Sequence, residues 1–186
     1  APLVVAEQFG TLASLYPGRI DLGLGRAPGS DQMTAHALRR DRAGSADDFP
    51  DDVEELSRYL GPRTDDQKVI AVPGHDTEVP IWLLGSSLFS AQLAGMRGMP
   101  YAFASHFAPR YMHEAIRVYR NHFKPSTTLD KPYVMLGIPM VVAETDEKAE
   151  YLATSVYQRI LALIRGQSLM QKPPVETMNG LWLPHE

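Results

Sequence analysis

The chain of 186 residues is 44% hydrophobic and 22% charged, with a formal net charge of -4 and a pI near 5.9. This composition is typical of a globular protein, and the acidic balance argues against a nucleic-acid partner, which usually requires clustered Lys and Arg. Because the chain has no cysteine, it cannot form disulfides or thiolate metal sites, and any redox chemistry must come from a bound cofactor.

The apolar runs of the sequence, its length and its two ends allow predictions of where the protein is located and how many domains it has. No apolar run approaches the ~20 residues of a membrane span, and the N-terminus lacks the pattern of a secretory signal, so we expect a cytoplasmic protein with no membrane partner. The length predicts a single domain over residues 1–186. The chain opens on a helix-like segment with Pro2 in its first turn and closes on residues 180–186 without a clear element, so we expect a fragment.

Helices and strands are predicted to alternate along the chain after this first helix. Short apolar runs are typical of parallel strands buried on both faces. These runs are residues 20–24, 81–84, 101–104 and 134–143. After each run, apolar residues recur at the spacing of a helix with one apolar face. This spacing covers residues 53–60, 88–96, 112–123 and 149–163. The alternation predicts βα units on a parallel sheet with right-handed crossovers.

Residues at the predicted helix starts agree with this order. Ser86 or Ser87 could cap the helix that begins near residue 88, and Pro109 is suited to a first helical turn. Thr145 could cap the last helix, whose first turn carries acidic residues. Two long polar segments, residues 27–48 and 61–78, interrupt the rhythm, and loops of this length are usually functional or disordered.

Two strand ends carry residues suited to binding an anion. Arg26 follows the first strand, at the end where α/β folds place ligands, and an arginine there can bind phosphate bidentately. Equally, Arg26 could pair with a carboxylate such as Asp31 or Asp47. Residues 85–87, Gly85, Ser86 and Ser87, join the second strand to a helix, a geometry that holds phosphate through backbone N–H groups. A plain serine N-cap after a glycine is also common, so the anion site is favoured only because Arg26 offers a second anchor.

The third strand ends in Ser105 and His106, the candidate catalytic residues. His106 could donate a proton, bond to a ring or form a wall of a pocket, although a lone histidine at a strand end is more often structural. No histidine has the spacing of a metal ligand, so we predict no metal site. Gly23 and Gly25 do not complete a dinucleotide fingerprint, and the nucleophile elbow of α/β-hydrolases is absent.

Three segments resemble the bacterial luciferase-like monooxygenases, in the branch termed LLM class flavin-dependent oxidoreductases. They are residues 1–29 (APLVVAEQFGTLASLYPGRIDLGLGRAPG), 79–109 (VPIWLLGSSLFSAQLAGMRGMPYAFASHFAP) and 132–155 (PYVMLGIPMVVAETDEKAEYLATS). The resemblance covers nearly the whole chain. It implies a (β/α)8 TIM barrel, which typically needs ~250 residues, so these strands would be about the fourth to the seventh. An open flavodoxin-like parallel sheet is the alternative fold.

The resemblance also implies roles for individual residues. Arg26 matches the arginine that meets the flavin phosphate, and Gly85, Ser86 and Ser87 match the turn that holds the same phosphate. Ser105 and His106 match a strand end near the cavity where flavin ring and substrate meet. The histidine usually invoked as a base would lie upstream of residue 1, and residues 27–48 could form a lid.

The function implied is that of an oxidoreductase, a cytoplasmic flavoprotein monooxygenase. Reduced FMN from a separate flavin reductase would react with O2 and oxygenate a small organic substrate. Two alternatives remain: an oxidoreductase that transfers hydride with the deazaflavin F420, and a non-catalytic flavin-binding module that needs a partner to complete its barrel. The helix over residues 112–123 could also pack between subunits of a homo-oligomer.

Overall fold

Helices and strands alternate through the structure, a computed structural model that describes residues 1–26 and 48–183. In chain order the elements are α1 (Pro2–Leu15), β1 (Leu22–Gly25), α2 (Phe49–Leu60), β2 (Ile81–Gly85), α3 (Leu88–Arg97), β3 (Tyr101–Phe103), α4 (Met112–His122), β4 (Val134–Leu136) and α5 (Asp146–Ile164). In the described residues the four strands form one parallel sheet in the order β1-β2-β3-β4. The predicted βα alternation on a parallel sheet is confirmed.

The predicted length of the fourth strand is wrong. β4 ends at Leu136, and residues 137–143 form no strand. Ile138 is 65% exposed and Met140 is 79% exposed. Pro139 between them has no N–H to donate to a ladder. Residues 137–143 therefore resemble a buried strand in composition only.

The described residues fall into two compact units, Ala1–Ile138 and Pro139–Glu186. The first unit holds the sheet with α1 to α4, and the second holds α5. The expectation of a single domain over residues 1–186 stays a prediction.

The core of the first unit lies on one face of the sheet. Alternate strand residues share a face, and the register pairs Leu22 with Ile81 and Leu83 with Tyr101. Leu83 and Tyr101 are fully buried and cluster with small residues of α3 and α4. Leu22 and Ile81 cluster instead with α1 and α2. Small helix residues allow the helices to approach the sheet closely.

The opposite face of the sheet is apolar but more open. Trp82 is 8% exposed, and its indole N–H donates to Asp21 Oδ2 at 3.2 Å. Leu84 and Met135, which lie on the same face, are 36% and 50% exposed. This face has the character of the interior face of a barrel strand.

The second unit is organised by α5. Thr145 is its N-cap, and the Thr145 hydroxyl accepts a hydrogen bond from Lys148 N at 3.2 Å, which confirms the predicted cap. The chain after α5 runs back along the helix, where Val175 N donates to Thr154 Oγ1 at 2.9 Å. Trp182 also packs against Tyr157, with ring centroids 6.1 Å apart. The described residues after α5 therefore pack against that helix and do not form a further helix.

The Tyr119 side chain is buried in the core of the first unit. Its buried hydroxyl donates to Met99 O at 2.9 Å and accepts from Tyr133 N at 3.0 Å. We expect Tyr119→Phe to lower the free energy of unfolding by about 1–3 kcal/mol, because it leaves two backbone groups without a partner. Urea unfolding measures the change. Tyr111→Phe is the control, since Tyr111 is 50% exposed and its hydroxyl bonds to no described residue. Equal stability of the two variants would contradict the prediction.

Candidate functional site

The carboxyl ends of the four strands meet along one edge of the sheet. Gly25 of β1 lies in register with Leu84 of β2. Ala104 N, just after β3, donates to Gly85 O at 2.9 Å. The segments that follow β1, β2 and β3 are therefore neighbours, at the edge where parallel α/β sheets bind ligands.

Arg26 lies over the first turn of α3. Its guanidinium carbon is 4.4 Å from the centroid of the Phe89 ring. This contact brings Arg26 close to the turn of residues 85–87, as expected if both bind one ligand. Asp31 and Asp47, the alternative partners of Arg26, lie outside the described residues. No carboxylate of the described part of the chain pairs with Arg26.

The N-terminus of α3 carries no side-chain cap. Ser87 occupies the N-cap position with extended backbone, φ -125° and ψ 164°, but its hydroxyl makes no capping hydrogen bond. The position of the predicted cap is confirmed, and its side-chain bond is not formed. The first N–H groups of a helix carry partial positive charge and need an acceptor, so this end of α3 is suited to an anion.

Close packing requires glycine at position 85. A Cβ on Gly85 would lie 2.6 Å from Cβ of Ser90, which is itself buried. The Tyr101 hydroxyl also supports the turn by donating to Ser87 O at 3.4 Å. Burial raises the pKa of Tyr101, which keeps this hydroxyl protonated as a donor. Contacts with Ser90 of α3 and Tyr101 of β3 thus hold the turn in place.

Ser105 and His106 lie where β3 meets the segment after β4. Ser105 is buried, and its hydroxyl donates to Gly137 O at 2.5 Å. His106 N donates to the same carbonyl at 3.2 Å, and the exposed His106 ring packs on Phe107 with centroids 4.2 Å apart. Ser105 therefore ties two strand ends together, and His106 is the accessible titratable group of the pair. Their catalytic roles stay predictions.

Three residues of this region carry no signal in the sequence that links them to the site. In the sequence, Phe89 resembles an ordinary apolar helix residue. Tyr101 resembles an ordinary strand residue, and Gly137 resembles an ordinary turn residue. Each acts through a partner far away in the chain. Local patterns cannot reveal such pairs.

Other features of the described residues lie apart from this edge. A cavity of about 610 Å³ is lined by the C-terminal part of α2 and the loop after it, which leads to the N-terminal end of β2. None of the candidate residues lines it. Within ranges 1–26 and 48–183, no cluster of His, Asp and Glu is suited to a metal ion. None of the helices in those ranges has the length and apolar character needed to cross a membrane.

A family model described as "Luciferase-like monooxygenase" matches residues 1–179. The chain belongs to the luciferase-like monooxygenase family. The resemblance found in the sequence is confirmed. The crystal structure of apo-MsnO8 has the same fold, with a TM-score of 0.83 and 36% identity over 93% of this chain and 52% of that one. The parallel sheet is thus part of a luciferase-like fold.

Two curated relatives match almost the whole chain. The uncharacterized protein YvbT of Bacillus subtilis is 57% identical over 99% of this chain and 55% of its own length. A luciferase-like monooxygenase of Escherichia coli K12 is 53% identical over 100% of this chain and 56% of its own length. The chain therefore spans about half the length of these relatives.

Relatives with a named activity differ in chemistry. N-acetyl-S-alkylcysteine monooxygenase of B. subtilis is 34% identical over 78% of this chain and 45% of its own length. F420-dependent glucose-6-phosphate dehydrogenase 1 of Rhodococcus jostii is 30% identical over 52% of this chain and 32% of its own length. The similarity thus extends to both oxygenases and F420-dependent enzymes.

Two glycines of the site allow a matched stability test. We expect Gly85→Ala to lower the free energy of unfolding by about 1–3 kcal/mol, because the added methyl group meets the buried Ser90. Gly25→Ala is the control, because a Cβ there lies 3.7 Å from Leu84, an ordinary contact. Urea unfolding compares the two variants. Equal losses would show that the turn after β2 is not tightly packed.

Proposed function

We propose that this protein is a flavin-dependent monooxygenase that binds the phosphate of reduced FMN between Arg26 and the N-terminus of α3. The observation that carries the proposal is the guanidinium of Arg26, 4.4 Å from the ring of Phe89 in the first turn of that uncapped helix. Membership of the luciferase-like monooxygenase family supports the reaction class.

The residues present fit a phosphate group. A Cβ at Gly85 would meet the buried Ser90, so glycine lets the turn of residues 85–87 pack closely on α3, with its backbone N–H groups at the start of that helix. Ser86 is half-buried and Ser87 exposed, and their hydroxyls can donate to phosphate oxygens. Arg26 supplies a full positive charge, and the helix end supplies N–H groups with partial positive charge. An anion is held best where both act together.

The candidate site residues have different parts in the proposed reaction. When bound, reduced FMN supplies the electrons for activation of O2. Arg26 and residues 85–87 hold the phosphate end, which fixes the cofactor at the edge of the sheet. His106, exposed at the end of β3, can exchange a proton with a substrate, while Ser105 keeps that strand end in place through Gly137. The substrate is a small organic molecule.

The supporting relatives favour oxygenation over the alternatives. A relative named a monooxygenase is 53% identical over the whole chain, whereas the F420-dependent one is 30% identical over 52% of it. Hydride transfer with F420 is therefore the second candidate. A partner-dependent flavin-binding module is the third candidate. A separate flavin reductase is the proposed source of reduced FMN. A cytoplasmic location and a homo-oligomeric state of this protein are also part of the proposal.

The phosphate site is tested by Arg26→Ala. We expect this variant to bind FMN roughly 10- to 100-fold more weakly, because charge-assisted hydrogen bonds to the phosphate are lost. Riboflavin, which lacks the phosphate, should bind with unchanged affinity. Fluorescence titration measures both. Arg19→Ala is the control, since the exposed Arg19 lies before β1, at the opposite end of that strand. An unchanged FMN affinity in Arg26→Ala would overturn the assigned phosphate site.

The choice of cofactor is tested by competition. We expect FMN to bind and F420 to compete poorly, because the phosphate of F420 is a diester with one negative charge, whereas FMN carries a dianion that this helix end and arginine stabilise better. Titration of the full-length protein with each cofactor measures the preference. Tighter binding of F420 would favour hydride transfer and contradict the monooxygenase assignment.

A further inference from the structure

We infer that Phe89 is a positioning residue of this phosphate site, whose ring holds the Arg26 guanidinium over the first turn of α3 with its N–H donors free. The inference rests on the proposed function. It adds a residue to which neither the sequence patterns nor the family match assigns a role.

Phe89 has no evident role in the core. It is 37% exposed, and the buried residues of α3 are Ser90, Ala91, Ala94 and Gly95. Neither of the hydrophobic clusters found among the described residues includes Phe89. The Phe89 ring is therefore available for a contact outside the core. Its observed partner is the Arg26 guanidinium, 4.4 Å from the ring centroid.

An aromatic ring and a carboxylate differ in how they hold an arginine. A carboxylate partner would neutralise the charge and occupy N–H donors, so an incoming phosphate would have to displace it. The face of an aromatic ring attracts the cation and leaves the N–H groups at the edge of the guanidinium free. A long side chain that is already oriented also loses less entropy on binding. The contact with Phe89 therefore keeps Arg26 both ordered and available.

Arg97, at the other end of α3, shows the contrast. Its Nη1 donates to Glu54 Oε2 at 2.7 Å, and the Arg97 guanidinium holds the pKa of that carboxyl below its usual value. This arginine links two helices and has its charge balanced. Arg26 has no such partner in the described part of the chain. The arginine at the C-terminal end of α3 is thus ion-paired, whereas the arginine that lies over its N-terminal end contacts an aromatic ring.

The test compares FMN and riboflavin binding in the full-length protein with Phe89→Leu and Phe89→Tyr. We expect Phe89→Leu to weaken FMN binding roughly two- to five-fold, the effect of an exposed cation–π contact, and to leave riboflavin binding unchanged. Phe89→Tyr keeps the ring and should restore the affinity for FMN. Tyr16→Leu is the control, because it removes an aromatic ring under a different arginine, Arg19, away from the site.

A double-mutant cycle with Arg26→Ala separates the two proposals. If Phe89 acts through Arg26, Phe89→Leu has no further effect on FMN binding in the Arg26→Ala background. An effect that persists there, or an equal loss for FMN and riboflavin, overturns the role of Phe89. Normal FMN binding by Arg26→Ala overturns the phosphate site itself. Phe89→Met replaces Phe89→Leu if urea unfolding shows that the leucine variant does not fold.

Discussion

The parallel register of β1, β2 and β3 is the constraint on which the rest of the structure depends. It sets Gly25 beside Leu84 and Gly85 beside Phe103, so the three strands end at one edge of the sheet. A shift of one residue would turn each strand's buried side chains to the other face. Since Leu83 and Tyr101 are fully buried, the core strongly opposes such a shift. Packing on one face thus fixes where the candidate site forms.

The candidate site lies where local rules for stability are not followed. Ser87 stands at an N-cap but does not cap, and Arg26 lacks a carboxylate partner among the described residues. Departures from these stability rules are expected at functional sites, where donors without a protein partner can bind a ligand. The surrounding turn is well supported by Ser90 and by the Tyr101 hydroxyl. A firm turn with free donors is what anion binding requires.

Much of the fold could be predicted from the sequence, but little of the site's geometry could be. The spacing of apolar residues and the length of each apolar run predicted the βα order, because each element has to bury its own apolar face. The same rule failed for residues 137–143, where apolar side chains are exposed and Pro139 interrupts the ladder. Arg26 could be identified as a candidate from its position after a strand. Its partner could not, because Phe89 belongs to a distant helix.

The sequence by itself determined the order of elements, the family and the strand ends where charged and small residues collect, because these depend on neighbouring residues. The tertiary structure alone decided that Arg26 packs on Phe89, that Ser87 leaves α3 uncapped and that Ser105 donates to Gly137. These contacts depend on how strands and helices pack in space. That packing is set by the buried face of the sheet, which no single segment of the chain specifies.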